Sequence, residues 1–540
     1  MTDRRFSPGR PALQVALLAL GLLFCGPLVA ESRPVYENPI IHADYSDPDA
    51  LRTPQGYYLT SSSFSHVPGL PILHSTDRVH WSIVNHAIRR LPPEDHFAAP
   101  RHGNGVWAPA FREHGGRYYI YYGDPDFGIY VVTAEDPAGA WSAPRLILPG
   151  KGLIDPAPFW DDDGTAWLVH AWAKSRAGFN NVITLHRLSA DGLSVLDEGR
   201  VVVDGNRIEG WRTIEGPKMY KRDGFYYIFA PAGGVRNGWQ GVFRSRSIEG
   251  PYAHRIVLEQ GATGVNGPHQ GALLTAPGGS EWFLHFQDRD VYGRIVHLQP
   301  VTWRDGWPVM GADPNGDGTG EPVLRYRAPP PIAEAAARAP QTSDAFDRGF
   351  NLAWQWQANP RAAWLADPQP AGRLRLASVP MPGNFWAAGN LLMQKFPAES
   401  FAARVRLAFD SEQPGESAGL IVFGYDYSWL GLVRTKEGLR LEQRIRNDAR
   451  DGGTERIVAS QPFAGGEIEL RVDVAPGGVS AFSYRAGGDP GFTAFGEPFT
   501  ARHSRWVGAK TGLFSGRIDA PENAAVAAFA DFDDWVVTTD

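Results

Sequence analysis

The sequence predicts an all-β protein: a five-bladed β-propeller followed by a β-sandwich of jelly-roll type. Three observations predict it. A loose repeat runs through the first part of the chain, in the segments SDPDALRTPQGYYLTSS, WAPAFREHGGRYYIYYG, DPAPFWDDDGTAWLVHA, EGPKMYKRDGFYYIFAP and GPHQGALLTAPGGSEWFLHF. Its anchor prolines, Pro48, Pro109, Pro156, Pro217 and Pro268, follow one another at 61, 47, 61 and 51 residues, the length of a four-stranded propeller blade. Helical periodicity is nearly absent, and after residue 343 the repeat gives way to strict alternation of apolar and polar residues.

Taken in order, the chain opens with Arg4, Arg5 and Arg10, an apolar run from Ala12 to Phe24, and Leu-Val-Ala ending at Ala30. This reads as a secretory signal peptide over residues 1–30, too short to span a bilayer well. It implies export, to the periplasm or the medium, with no membrane association once the segment is removed. The single cysteine, Cys25, lies within it behind Phe24, where a lipoprotein site would carry a small residue. The mature chain would have no disulfide and no thiol chemistry. Residues 34–326 form the expected propeller. Each repeat continues into a second strand pair, as in ILHSTDRVHWSIV and IYVVTAEDPAGAWSAP, and turn signals such as Asp163-Gly164 and Asp223-Gly224 separate strand-like runs. The Pro/Ala-rich stretch RAPPPIAEAAARAPQTS, residues 327–343, reads as a linker or strap. In residues 344–540, Ala403, Val405, Leu407 and Phe409 alternate with Arg404, Arg406 and Ala408, and Ile468, Leu470, Val472 and Val474 alternate with Glu469, Arg471 and Asp473. Those are half-buried antiparallel strands of a sandwich.

Composition narrows the function. The 61 glycines and 44 prolines make the chain turn-rich without reaching the range of disorder. The 18 Trp, 18 Tyr and 28 Phe supply core packing and also flat faces on which sugar rings stack. With a formal charge of -7 and no basic stripe, the sequence argues against a nucleic-acid partner.

Three anchor prolines sit beside an acid: Asp47, Asp155 and Glu215. Equivalent positions near the inner strands of all blades face one central channel, so these carboxylates should converge, and paired carboxylates are the tools of glycoside hydrolysis. An acid before a proline is commonly a turn cap, an explanation that weakens when three occupy repeat-equivalent positions. Asp44 and Asp49 lie close by. Asp49 is two residues from Asp47, so on an extended strand both side chains would point the same way, and the residues alone leave that choice open.

NPIIHADYSDPD, GVWAP, LIDPAPFW, TIEGPKMY, NGPHQGALL and YGRIVHLQP, in that order, resemble glycoside hydrolase family 43, whose members are five-bladed propellers, often with an appended concanavalin A-like sandwich. AFDRGFNLAWQWQANP, GNLLMQKF and ADFDDWVV resemble that second domain. The resemblance covers nearly the whole mature chain. It implies an inverting mechanism with Asp47 as general base, Glu215 as general acid and Asp155 as the third acid, which orients the general acid and helps keep it protonated. It also implies that Trp107 walls the sugar pocket, that Arg294 lies near base and substrate, that Phe514 belongs to a sandwich loop reaching the pocket, and that His269 reaches a central calcium whose other ligands are largely waters. The acidic DPNGDG stretch at 313–318 has Leu324 where an EF-hand closes with Glu, and reads as a turn.

The function implied is an exo-acting hydrolase removing terminal α-L-arabinofuranosyl or β-D-xylosyl units from hemicellulose oligosaccharides such as arabinoxylan, xyloglucan or arabinan fragments. The wording of HFQDRDVYGRIVHLQP and NGPHQGALL leans toward arabinofuranose. Fructan- and sucrose-cleaving propeller enzymes carry an NDPNG nucleophile motif and a Glu-Cys acid motif, where this chain has SDPDA and IEGP. A non-catalytic carbohydrate-binding propeller would be expected to have lost one of the three acids, and all three are present.

Overall fold

The computed structural model describes residues 34–332, 339–518, 520–521, 524–526 and 528–539. The expected signal peptide, with Cys25, and part of the expected linker lie outside the described residues. Five four-stranded antiparallel sheets, at residues 49–88, 107–149, 153–204, 218–258 and 269–310, form the blades of a propeller. Their innermost strands are Asp49–Thr53, Trp107–His114, Leu153–Trp160, Lys218–Arg222 and His269–Thr275.

The blades explain why alternation is weak in this half of the sequence. A middle strand of a blade is covered on both faces by neighbouring blades, so it reads as a continuous apolar run. In Arg117–Asp124 of the second blade, Ile120 and Tyr122 pack with Ile72 and Ile88 of the first blade. The intervening Tyr119 and Tyr121 pack with Leu168 of the third.

The ring is closed by the segment that precedes blade one, which lies along blade five. Ile41 and Val296 exchange backbone hydrogen bonds, and Tyr45 N–H donates to Arg294 O at 3.0 Å. Asn38 acts as a side-chain clasp: its Nδ2 donates to Leu298 O and its Oδ1 accepts from Leu298 N–H, both at 2.8 Å. Val35–Glu37 pairs with Arg325–Arg327 outside this seam. The 313–318 stretch is a bend in which Asp313 accepts from Gly316 N–H at 2.8 Å and Gly318 N–H at 3.1 Å.

The C-terminal domain is a sandwich of an eight-stranded and a seven-stranded sheet. Phe401–Asp410 shows the expected alternation, with Phe401, Ala403, Val405, Leu407 and Phe409 all buried. Glu467–Ala475 departs from it at one position. Glu469 is buried among polar partners, held by the guanidinium groups of Arg404 and Arg485.

The two domains share a packed seam. Val291, Tyr292 and Ile295 of blade five belong to the apolar core of the sandwich. Trp356 pairs with Val67 of blade one, and Asn359 accepts from Leu91 N–H at 2.8 Å.

Asp49 resolves one ambiguity of the sequence. It is fully buried, and its Oδ2 accepts from Phe111 N–H at 2.8 Å and Arg112 Nη1 at 2.7 Å, tying blade one to blade two. Lys218 of blade four reaches to 3.9 Å and donates to Pro109 O at 2.8 Å. Asp49 is therefore the counter-charge of two buried cations at the propeller's centre. Asp49→Ala is expected to lower the free energy of unfolding by about 3–5 kcal/mol, since it strands those cations. Denaturant titration checks this, and a loss below about 1 kcal/mol, the worth of a surface pair, would contradict the role.

Candidate active site

The innermost strands of blades two, three and five break register near their starts, between Trp107 and Ala110, Ile154 and Ala157, and His269 and Gly271. At these mouths the backbone turns left-handed at residues that are not glycine: Ala108 (φ 37°), Asp155 (φ 55°) and Gln270 (φ 42°), with Asp47 (φ 52°) at the mouth of blade one. Such a conformation costs of order 1–3 kcal/mol per residue. Its effect is to throw side chains out of the strand alternation and into the channel mouth. This is also why Asp47 and Asp49 do not share an environment: the period of two holds only along regular strand.

Asp47, Asp155 and Glu215 line one cavity of about 270 Å³, together with Trp107, Arg294 and Gln270. Asp47 accepts from Arg294 Nη1 at 3.0 Å and from Ser62 Oγ at 2.6 Å. Ser62 Oγ itself accepts from Ala108 N–H at 2.7 Å, so its proton is aimed at Asp47. Both partners donate, which fixes Asp47 as an acceptor. The Arg294 guanidinium is seated over Phe286, 4.9 Å from the ring centroid.

Asp155 Oδ2 accepts from Gly216 N–H at 2.7 Å. Gly216 has φ 59°, and a Cβ there would stand 2.6 Å from Gln270 Cδ, so a larger residue in the IEGP motif would have to displace the Gln270 side chain. Burial, then the charges of Glu215 and Asp47, push the Asp155 carboxyl well above its ordinary range. Three carboxylates confined in one buried site resist full ionisation. Glu215 is the most open of the three, its side chain 22% exposed against 7% for Asp47, and Asp155 is buried.

His269 lies behind Glu215, fully buried, with Nε2 3.1 Å from Glu215 Oε1. Its Nδ1 is buried without a hydrogen-bond partner. Calcium takes six to eight oxygen ligands, and among the described residues no group of three His, Cys, Asp or Glu side chains gathers to supply them. The calcium implied at His269 would take largely water ligands, so among these side chains His269 is the one that would hold it. What His269 does in this structure is hold Glu215.

Trp107 lines the cavity, its Nε1 donating to Gly103 O at 2.9 Å. Phe514 does not reach the pocket. It is fully buried in the sandwich, against Phe385 and Trp429. It lies within the strand Lys510–Ile518 opposite Gly419, with its side chain on a packed face of the sheet. The sandwich residue at the pocket is Trp506, in the loop just before that strand. It meets Trp107 edge-on at 5.9 Å and lies 5.9 Å from the Arg294 guanidinium carbon. It is 40% exposed, with φ 65°. Neither Trp506 nor Gln270, whose amide Nε2 is buried without a partner, was identified from the sequence. An isolated aromatic in the polar run HSRWVG was the available signal for Trp506, and a bulge that shifts the repeat frame concealed Gln270.

Asp44 is the other acid near Asp47. Its Oδ1 accepts from Arg294 N–H at 2.9 Å and its Oδ2 from Gly508 N–H at 3.1 Å, so it binds the holder of Asp47 and the loop of Trp506 at once.

A propeller whose channel mouth gathers three acids, an arginine and an aromatic wall, with a sandwich closing one side, matches two family profiles. Glycosyl hydrolases family 43 matches residues 36–308, and the beta-xylosidase C-terminal concanavalin A-like domain matches residues 343–537. The chain belongs to glycosyl hydrolase family 43. Among relatives, a β-xylosidase of Formosa agariphila is 32% identical over 540 residues, covering 89% of this chain and 87% of that one. A non-reducing-end α-L-arabinofuranosidase of Bacteroides ovatus is 26% identical, covering 96% and 97%. The solved structure of a xylan β-1,4-xylosidase from Bacillus halodurans matches at a TM-score of 0.81 and 23% identity, covering 93% of this chain and 100% of that one, a likeness of fold. As a family 43 glycoside hydrolase, the chain acts on glycosidic bonds.

The raised Asp155 carboxyl has a consequence for stability. A carboxyl that ionises less readily in the folded than in the unfolded chain contributes fully below its ordinary pKa of 3.8, and that contribution is lost as pH rises through the raised value. Asp155→Asn keeps an acceptor for Gly216 and removes the titration. Its unfolding midpoint relative to wild type is expected to climb as pH rises above the ordinary carboxyl value of 3.8. Thermal unfolding across that range checks this, and a difference that falls with pH would contradict it.

Proposed function

We propose that this chain is an exported, inverting, exo-acting pentosidase that removes a terminal β-D-xylosyl or α-L-arabinofuranosyl residue from hemicellulose oligosaccharides such as arabinoxylan, xyloglucan or arabinan fragments. The observation that carries the reading is the gathering of three carboxylates in a cavity of about 270 Å³ walled by Trp107 and Trp506. That is near the lower end of the roughly 300–1,000 Å³ of ordinary ligand clefts, a size that suits one terminal sugar among the acids.

In this reading Asp47, steadied by Arg294 and Ser62, takes a proton from the attacking water. Glu215, steadied by His269, gives a proton to the departing oxygen. Asp155, kept against Gly216, helps retain that proton between turnovers. The attacking oxygen forms its bond to the anomeric carbon as the glycosidic bond breaks on the opposite face, which inverts the centre.

The β-xylosyl reading is supported by the 32% identical relative named a β-xylosidase. The arabinofuranosyl reading is supported by the 26% identical relative named an α-L-arabinofuranosidase, which aligns over nearly the whole chain. Release of xylose or arabinose from the paired nitrophenyl glycosides separates them. Oligosaccharides released from internal cleavage of arabinoxylan would overturn the exo reading.

Asp47→Asn is expected to lower turnover by about 10²–10⁴-fold or more while the protein stays folded, since shape is kept and the base is removed. Glu215→Gln should lose most on substrates with poor leaving groups and least on activated nitrophenyl glycosides. Product NMR is expected to give the inverted anomer first, and a retained anomer would refute the mechanism.

A further inference from the structure

The cavity does not end at Trp506. On its outer side a second cavity, of about 280 Å³, shares Arg294 and Trp506 with the first. A third, open one of about 750 Å³ shares Arg236, Asp288, Asp290 and His503 with the second. Together they make one track, leaving the carboxylates along the seam between the loops of blades four and five and the sandwich. A substrate whose terminal sugar sits among the acids must place its remainder outside Trp506, where this track begins.

Most charges along the track are already paired. Asp290 is held by His503 at 3.0 Å, Arg289 by Glu399 at 2.8 Å, and Arg502 by Asp448 at 3.0 Å. Two guanidinium groups in the second cavity have no acidic partner among the described residues: Arg236, from the propeller, and Arg505, from the sandwich. Arg505 lies over the Trp506 ring, 5.2 Å from its centroid. The carboxylates there are Asp290, 3.0 Å from His503 Nδ1, and Asp288, which accepts Asp290 N–H at 3.3 Å within its own turn. Two cations without an acidic partner among the described residues thus line the cavity next to the sugar pocket, one from each domain. A guanidinium presents a planar pair of donors matched to a carboxylate, and neutral sugars offer only hydroxyls.

We propose that this track binds the part of the substrate beyond the scissile bond, and that Arg236 and Arg505 select oligosaccharides bearing a carboxylate, a uronic-acid substituent on the pentose chain. The inference rests on the pentosidase reading above for which end of the substrate enters the pocket. Both arginines are solvent-exposed, so the selection is a preference that salt weakens.

The test compares two ligands that differ only in charge: a xylo-oligosaccharide carrying one glucuronic acid, and its carboxyl-reduced twin carrying glucose. Each is titrated calorimetrically into the full chain with Glu215→Gln, which leaves the Asp47–Arg294 pair intact and slows turnover of these poor leaving groups. At low salt the acidic ligand is expected to bind about fivefold or more tightly, as a charge-assisted pair permits, and the two should converge at high salt. R236S/R505S should bring the acidic ligand down to its twin while the twin still binds. Equal binding of the twins, tighter binding of the reduced one, or a preference that survives the double substitution would each overturn the proposal. The comparison in the arginine-bearing protein decides this whether or not the double variant folds. Failure of the wild-type enzyme to release pentose from nitrophenyl glycosides would instead count against the proposed function, and leaves the binding comparison legible.

Discussion

Asp44 is a buried carboxylate to which three distant parts of the chain are tied. Its Oδ1 takes the N–H of Arg294 and the hydroxyl of Ser46, its Oδ2 takes the N–H of Gly508, and Lys395 Nζ donates to its carbonyl. Hydrogen bonds to a charged group are worth about 1.5–3 kcal/mol each. The blade-five strand that presents Arg294, the entry to blade one that presents Asp47, and the sandwich loop that presents Trp506 all meet at this one group. If the sandwich were not seated on Asp44, the pocket would lose a wall, and Asp47 would lose part of the support for its arginine.

The seating is close and electrostatically demanding. A Cβ on Gly508 would stand 2.5 Å from the Tyr292 carbonyl carbon, so the loop can lie this near to blade five only with glycine there. Lys395 and Lys510 face each other directly across paired strands of the eight-stranded sheet. Burial pushes Lys395 down to about 8 and Lys510 to about 7, the latter also through its neighbour Lys395, and Asp44 is the acid that opposes both shifts. Two buried lysines opposite one another are unfavourable on their own. They become tolerable against a buried carboxylate, which fixes where the sandwich can dock.

The pocket itself is made from backbone the chain would not adopt freely. Left-handed conformations at Asp47, Ala108, Asp155, Gln270 and Trp506 are local costs. They are held by the hydrogen bonds that radiate from each mouth: Ser62 to Asp47, Ala108 to Ser62, Gly216 to Asp155. The result is an array of carboxylates whose positions are set before any sugar arrives, the kind of preorganisation on which electrostatic catalysis depends.

The sequence by itself determined the architecture and the convergence of acids at the anchor positions. Repeat length, turn residues and alternation are local consequences of strand geometry, and acids at equivalent places in a closed ring must converge whatever the details. What it could not decide was anything that depends on breaks in that regularity or on contacts between domains. Asp47 and Asp49 look equivalent at a spacing of two, and only the left-handed turn at Asp47 sends one to the pocket and the other to Arg112. Phe514 looked like the sandwich's contribution, yet within a regular strand it is committed to a packed face, and the irregular loop before it delivers Trp506. The tertiary structure decided these points because docking at Asp44 joins residues 44, 294 and 508 through backbone N–H groups, which every residue but proline carries and which leave no mark in the sequence.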